Sequence, residues 1–348
     1  GEIVNQDRPA DLPASNRQIV LRRRPHGLVD PDTDLEIVES PMPEPGEGEA
    51  LIRTRYLGLD ATVRSWLDDG EGYLPPVEVG EVIRCSGIGE IVASRSERLP
   101  VGTVAYGLPG WQEYGVVPDD PGFTTPLPAD TDLVGMISLY GATGATAYFG
   151  LLEVGRPAEG ETVVVSAAAG ATGSITGQIA KVKGCRVIGI AGSDEKCRMV
   201  VDELGFDGCI NRRTDDVKAR LRELCPDRID VYFDNVGGPI LDIVLGQLAM
   251  HGRVVLCGAI SGYNDEHRSP GPANYLNLIS RRGRMEGFIA LDYVDRMAES
   301  ALQLAAWVEE GKMTYKAHIF EGLDSAPEAL NALFTGDNIG KVIVAVDP

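Results

Sequence analysis

Apolar and polar positions change rhythm near residue 136 of this 348-residue chain. Before that point the apolar runs are short. Residues 16–21, 35–38, 49–57, 82–83, 87–93, 103–105 and 114–117 each alternate or run apolar over a few positions, with glycine or proline between them. This spacing predicts a series of short strands and an all-β, barrel-like first domain. The Pro-rich segment 41–46 predicts a loop, and the polar residues 1–16 predict little order. After residue 136 the runs lengthen and begin to alternate in kind. Residues 141–152 carry a helical pattern despite their glycines. Strand candidates then follow at 163–165, 186–191, 209–210, 230–233, 253–257 and 285–289, with amphipathic stretches between them. Residues 298–310 place Ala301, Leu302, Ala305 and Val308 on one helical face. A strand pattern beyond Lys312, a helix near 326–334 and a last strand at 341–346 complete the chain. The alternation predicts an α/β domain with a parallel sheet. The expected division is 141–311 for that domain, with 1–140 and 312–348 forming its partner.

The stretch 163–177, VVVSAAAGATGSITG, organises the second half. Three valines suit a buried strand. Gly170, Gly173 and Gly177 then open a helix patterned by Ile175, Ile179 and Val182. Strand, glycine turn and helix in that order form a dinucleotide-binding fingerprint, in which the helix N-terminus faces a pyrophosphate. Its candidate contacts are Gly170, Ala171, Thr172, Gly173 and Ser174. The fingerprint reads Ala167-x-x-Gly170-x-x-Gly173, so alanine stands where the first glycine is usual. Small-residue packing of helix on strand is the plainer alternative. About twenty residues on, a second strand ends in Ala191-Gly192-Ser193, where an NAD site would carry Asp or Glu. Asp194 lies beyond that end. Lys196, Arg212 and Arg213 offer positive charge for a 2′-phosphate, so the residues favour NADP(H) over NAD(H), with Gly192 and Ser193 in the same site.

Composition narrows the class. The chain has 32 Lys+Arg against 52 Asp+Glu, a net charge of −20. Such an acidic surface repels nucleic acid and anionic lipid. Six cysteines (Cys85, Cys185, Cys197, Cys209, Cys225 and Cys257) show no paired spacing, which predicts reduced thiols rather than bridges or metal ligands. No apolar run reaches the length of a membrane span, and no signal peptide is expected, so a cytoplasmic enzyme is the expectation.

Four segments carry a resemblance: AAAGATGSITGQIAKVKGCRVIGIAGSDEK, then DNVGG at 234–238, CGAISGYN at 257–264 and GDNIGK at 336–341. Together they resemble the zinc-independent medium-chain reductases, in the branch of the NADPH-dependent alkenal/one reductases that includes prostaglandin, plant double-bond and curcumin reductases. The likeness covers nearly all of residues 16–348. It implies an α/β fold class of Rossmann nucleotide-binding domain plus GroES-like β-rich catalytic domain, an active site in the cleft between them, and a homodimer.

Reduction of an α,β-unsaturated aldehyde or ketone needs a hydride at the β carbon, stabilisation of the enolate oxygen, and a proton at the α carbon. NADPH supplies the hydride, and the protein positions and polarises. Metal is not expected, because the places matching zinc ligands of other relatives read Leu59-Asp60-Ala61-Thr62 and Gly80-Glu81-Val82, and only His26, His251, His267 and His318 occur. Tyr263 is the candidate catalytic residue, a phenol able to donate a hydrogen bond to the developing oxyanion. A packed loop tyrosine is the plainer alternative. Cys257, Gly258, Ala259, Ile260 and Ser261 lead into it after a strand end and are candidate cofactor contacts. Asn235 is expected at the cofactor ribose or nicotinamide, with an Asx-type turn as its alternative. The resemblance also implies cofactor contacts from Phe288, Ile289 and Asn338. The chain departs from the family in two places. Thr62 stands where an aromatic residue usually walls the substrate pocket, and Arg212 where a tyrosine is common. Thr62, Tyr73 and Tyr263 are the candidate substrate pocket, with Trp66 and Trp111 as further possibilities. The rival functions are a quinone reductase of the same superfamily and a nucleotide-binding protein without turnover.

Overall fold

The computed structural model describes residues 11–258, 260–263 and 270–346, with nothing given for the Ser261 side chain. The chain divides into two compact units. One holds the described residues up to Ile137 with His318–Asp337 and the chain from Val342; the other is Ser138–Ala317 with Asn338–Lys341.

The first unit is built on short strands. β1 (Ser15–Leu21) pairs antiparallel with β2 (Leu35–Pro41). β3 (Glu49–Leu59) is the spine of the larger sheet, where it meets β4 (Ser86–Ser94) antiparallel. β5 (Val104–Gly107) continues from β4, β6 (Tyr114–Pro118) pairs with β3, and β7 (Thr125–Leu127) pairs with β5. Residues 82–83 depart from the strand expected there. Gly80 turns at φ +95°, and the chain after it lies along β1 for one bridge, Val82 to Val20, with Leu21 N donating to the Glu81 carbonyl at 2.9 Å and Ile83 N to the Ile19 carbonyl at 3.2 Å.

The second unit holds six parallel strands among the described residues: β8 (Thr162–Ser166), β9 (Arg186–Ala191), β10 (Gly208–Asn211), β11 (Ile229–Asp234), β12 (Leu248–Leu256) and β13 (Arg284–Gly287). Their order across the sheet is β10-β9-β8-β11-β12-β13. Both faces are covered. Val163 and Val165 join one buried cluster with Ile175, Ile179 and Phe233, while Val164 joins another with Ile188, Leu221, Tyr232 and Val244. A strand buried on both sides reads as an unbroken apolar run, and so β8 is VVV rather than alternating. The helix expected over 141–152 is α-helical over Ala142–Phe149 and then widens into a π-helical stretch, Gly150–Gly155. Gly150 opens that stretch with the Phe288 and Phe233 rings where a Cβ would sit, so a side chain has no room there.

The chain returns to the first unit as β14 (Ala317–Glu321) and β15 (Lys341–Ala345), the latter antiparallel to β3 from Val342 onward. None of the six cysteines is in a disulfide, with Cys85, Cys185 and Cys225 buried and the others half-buried. Burial pushes the Cys185 thiol up to about 11 and the Cys225 thiol up to about 12.

Candidate active site

Strand order places the site. The chain moves outward from β8 in both directions, through β9 to β10 and through β11 to β13, so the β8/β11 boundary is the switch point of the sheet. Crossover helices lie on opposite faces on either side of it, and their connections diverge beyond the carboxyl ends of the strands. Ser166 ends β8 and Asp234 ends β11, which brings three segments of candidate residues to that crevice.

The first segment is the glycine turn. Ala167 holds φ +48°, a left-handed conformation in which L residues are strained. The fingerprint's shape therefore survives the loss of its first glycine. Gly173 cannot be replaced as easily, because an added Cβ would lie 2.2 Å from the Ala167 carbonyl oxygen. Gly170 precedes the helix Ala171–Val182 without any side-chain cap, so the amides of the first helical turn face outward for an anion. Ser174 is buried and its hydroxyl donates to the Ala171 carbonyl at 3.0 Å, a role internal to the helix. Asn338 comes to the same turn. It is buried, its Nδ2 donates to the Gly340 carbonyl at 3.2 Å, and Gly340 N donates to the Ala169 carbonyl at 2.9 Å, bridging Gly340 to Gly170.

The second segment lies beyond β9. Ser193 caps the helix Asp194–Asp202, accepting from Lys196 N at 3.2 Å. Asp194 is engaged by Asn211 Nδ2 at 2.9 Å. Arg212 Nη2 and Arg213 Nε lie 3.6 and 3.7 Å from where a Cβ on Gly192 would sit, so two guanidinium groups converge on the strand end. Burial, and then the charge of Arg213, pull the Arg212 pKa below its ordinary value. That electrostatic stress is relieved by a bound anion.

The third segment joins β11 and β12. Asn235 N donates to Ser166 Oγ at 3.0 Å and its Nδ2 donates to the Ser166 carbonyl at 2.8 Å, so both ends of the residue are fastened to the end of β8. Asp234 anchors the turn. Its Oδ1 accepts from Tyr232 Oη, Val236 N and Gly237 N at 2.9, 3.0 and 2.8 Å. Burial raises its carboxyl above the usual carboxylate range. Cys257 N and Gly258 N donate to the Asp234 carbonyl, and Ile260 N to the Asn235 carbonyl. The single 3₁₀ turn Ile260–Gly262 then swings Tyr263 back, with Oη 3.1 Å from where a Cβ on Gly258 would sit. Ala259 and the Ser261 side chain lie outside what is described.

Other expected residues have mainly structural contacts. The Phe288 ring packs edge-on to Phe233 at 6.4 Å, and Ile289 N donates to Asp292 at 3.3 Å. In the first unit Thr62 begins a one-turn helix, its carbonyl accepting from Ser65 Oγ at 2.6 Å, and Tyr73 is 49% exposed against the edge of Trp66. Trp111 is fully buried in one core cluster with Leu67 and Ile83. Ser166 and Asp234 were not singled out as site residues by sequence reasoning. Their signal was present, in a polar side chain closing the VVV run of β8 and the VYF run of β11. Among the described residues no three His, Cys, Asp or Glu side chains come together as metal ligands, and no helix is long and apolar enough to cross a membrane.

A doubly wound parallel sheet with a glycine turn and a paired Ser–Asn at its switch point defines a dinucleotide-binding protein. Residues 17–125 match the family described as the N-terminal domain of oxidoreductase, and residues 171–307 match the one described as zinc-binding dehydrogenase. The NADPH-dependent curcumin reductase of Escherichia coli (strain K12) is 39% identical over 346 residues, 95% of this chain and 97% of that protein. The NADP(+)-dependent 2-alkenal reductase of Nicotiana tabacum is 37% identical over 338 residues, 95% of this chain and 98% of its own. The crystal structure of CurA in complex with NADPH from Vibrio vulnificus superposes with a TM-score of 0.89 at 39% identity, over 95% of this chain and 99% of that one. The chain belongs to the medium-chain dehydrogenase/reductase family, in its NADPH-dependent alkenal/one reductase branch.

Proposed function

We propose that this protein uses NADPH to reduce the carbon–carbon double bond of α,β-unsaturated aldehydes and ketones. The arrangement that supports this best is the Ser166–Asn235 pair at the switch point, with the Tyr263 hydroxyl folded over Gly258 beside it. The residues fit the cofactor. Gly173 lets the start of the helix pack against the Ala167 carbonyl and so shapes the turn, the uncapped turn at Gly170–Ala171 takes the pyrophosphate, and Lys196, Arg212 and Arg213 take the 2′-phosphate. Asn235 and Asn338 line the same crevice, along with the backbone of Cys257, Gly258, Ile260, Phe288 and Ile289. When bound, the reduced nicotinamide supplies a hydride for the β carbon. Tyr263 donates a hydrogen bond to the substrate carbonyl oxygen and holds the negative charge that gathers there as the enolate forms. Ser166 fixes the Asn235 amide and so keeps that polar wall in one orientation. Thr62 and Tyr73 contribute to the substrate's side, where the smaller Thr62 admits bulkier acceptors than an aromatic residue would.

The test is NADPH oxidation against a panel of 2-alkenals, aryl enones and quinones, with products identified by mass. Saturated carbonyl products support the reading. Hydroquinone as the sole product favours a quinone reductase, and binding of NADPH without turnover favours a sensing role. The homodimer and the cytoplasmic location belong to the same proposal. Tyr275, Leu276 and Ile279 are 55, 57 and 72% exposed near the outer strand β13, a suitable face for a second copy, and six thiols outside any disulfide suit a reducing compartment.

A further inference from the structure

A second polar site lies in the first unit, built on Arg84. Its neighbours Ile83 and Cys85 are fully buried, and Cys85 Sγ donates to the Gly58 carbonyl at 3.3 Å, so the backbone on both sides is fixed. The guanidinium lies over the face of Trp66, with Cζ 5.1 Å from the ring centroid, and Tyr73 meets that ring edge-on at 6.3 Å. Nη1 of Arg84 is buried and has no hydrogen-bond partner among the described residues. Burial pulls the Arg84 pKa below its ordinary value, and Glu81 opposes that pull through its charge without a hydrogen bond. A cation held in place by an aromatic face, with a buried donor unanswered, is costly unless an acceptor arrives.

The surroundings say what that acceptor is. Arg84 lines a concavity of about 400 Å³, with Val77, Val82, Leu108 and Pro109 as its apolar wall. The one amide in that wall, Gln112, is already committed. Its Nε2 donates to the Pro109 carbonyl at 2.7 Å, and its Oε1 accepts from Asn16 and Gln18 at 3.0 and 2.7 Å. A planar fork of donors matches a carboxylate in shape and charge, and ring stacking holds the plane of the fork. Exposed Glu81 at the rim disfavours a second negative charge. We propose that Arg84 and Trp66 form a binding site for the carboxylate of a monoanion with an apolar body. Two sources share that chemistry: a carboxylate carried by the enone substrate itself, which would deepen the reductase reading and rests on it, and a separate small acid, which would not.

Titrating the full-length protein with benzoate by calorimetry, with benzamide as the neutral isostere, tests the site directly. Benzoate is expected to bind roughly tenfold or more tightly than benzamide, and Arg84→Gln to remove that preference. Arg84→Lys, which keeps the charge but not the fork, should retain part of it. Equal binding of benzoate and benzamide to the wild type, or a preference undiminished in Arg84→Gln with its melting curve intact, overturns the proposal. The wild-type comparison stands even if a variant fails to fold. The source is read from kcat/KM for an enone bearing a terminal carboxylate against its methyl ester. An acid preference lost in Arg84→Gln assigns the carboxylate to the substrate. Equal turnover of acid and ester, with Arg84-dependent benzoate binding, assigns it to a separate acid. If neither is reduced, the reductase reading fails while the benzoate titration still decides the site.

Discussion

Arg212 and Arg213 crowd the end of β9 with two like charges, and Asp194, the nearest acid, is held by Asn211 instead of facing a ribose. Charge-assisted hydrogen bonds of this kind contribute about 1.5–3 kcal/mol each. Arg212→Ala should therefore raise the Kd for NADPH by roughly 10- to 100-fold and change that for NADH little, which fluorescence titration of the two cofactors would check. An equal loss for both would remove the 2′-phosphate from Arg212. Tyr263 is the matching case at the other end of the crevice. Loss of its hydroxyl in Tyr263→Phe should lower kcat by about 10²-fold and leave NADPH affinity unchanged, as expected of a group that acts on developing charge. Steady-state rates for one alkenal, with cofactor binding measured in parallel, would read both quantities.

Among the elements, β8 and the segment leading into it carry the site, and an ion pair fastens that segment where the strand begins. Arg253 on β12 donates to Glu161 at 2.6 and 2.9 Å and to the carbonyls of Gly155 and Arg156 at 2.8 Å. This pair is largely shielded from solvent, with side-chain exposures of 11% for Arg253 and 23% for Glu161. The Arg253 hydrogen bonds hold the Glu161 carboxyl below its usual range. A carboxylate depressed in the folded state adds stability above its unfolded pKa and loses it as pH falls through the folded value. Glu161→Gln should thus cost about 2 kcal/mol at neutral pH, and its gap from wild type in urea melts should narrow as the pH is lowered below about 4. A gap independent of pH would mean that the ion pair does not hold this segment. Much at this scale was legible in the chain. The VVV run and the glycines after it mark β8 and its helix, because burial on both faces and close backbone approach each leave a compositional trace. The π-helical stretch at Gly150–Gly155 left none, and the Phe288 ring that needs glycine at 150 comes from far along the chain. The Ser166–Asn235 pair was hidden for the same reason: 69 residues separate partners that only the sheet order brings together. At 82–83 the short apolar run does pair with β1, but through the one Val82–Val20 bridge, too short a contact to make a strand.

The whole molecule is acidic, at net −20, yet it gathers cations where phosphate would bind. Against that background Arg212 and Arg213 converge at the end of β9, a local reversal of sign that suits the phosphate-bearing cofactor proposed there. The fold, the cofactor and the reaction class follow from one organisation, a doubly wound sheet whose switch point holds Ser166, Asn235 and Tyr263. Its central claim is that hydride goes to the β carbon and that the carbonyl survives. Incubating the protein with NADPH deuterated at the transferable C4 position and an aryl enone, then locating the label by NMR, tests this directly. The account predicts a saturated ketone with deuterium on the β carbon. Deuterium on the carbonyl carbon, in an allylic alcohol that keeps its double bond, would contradict it.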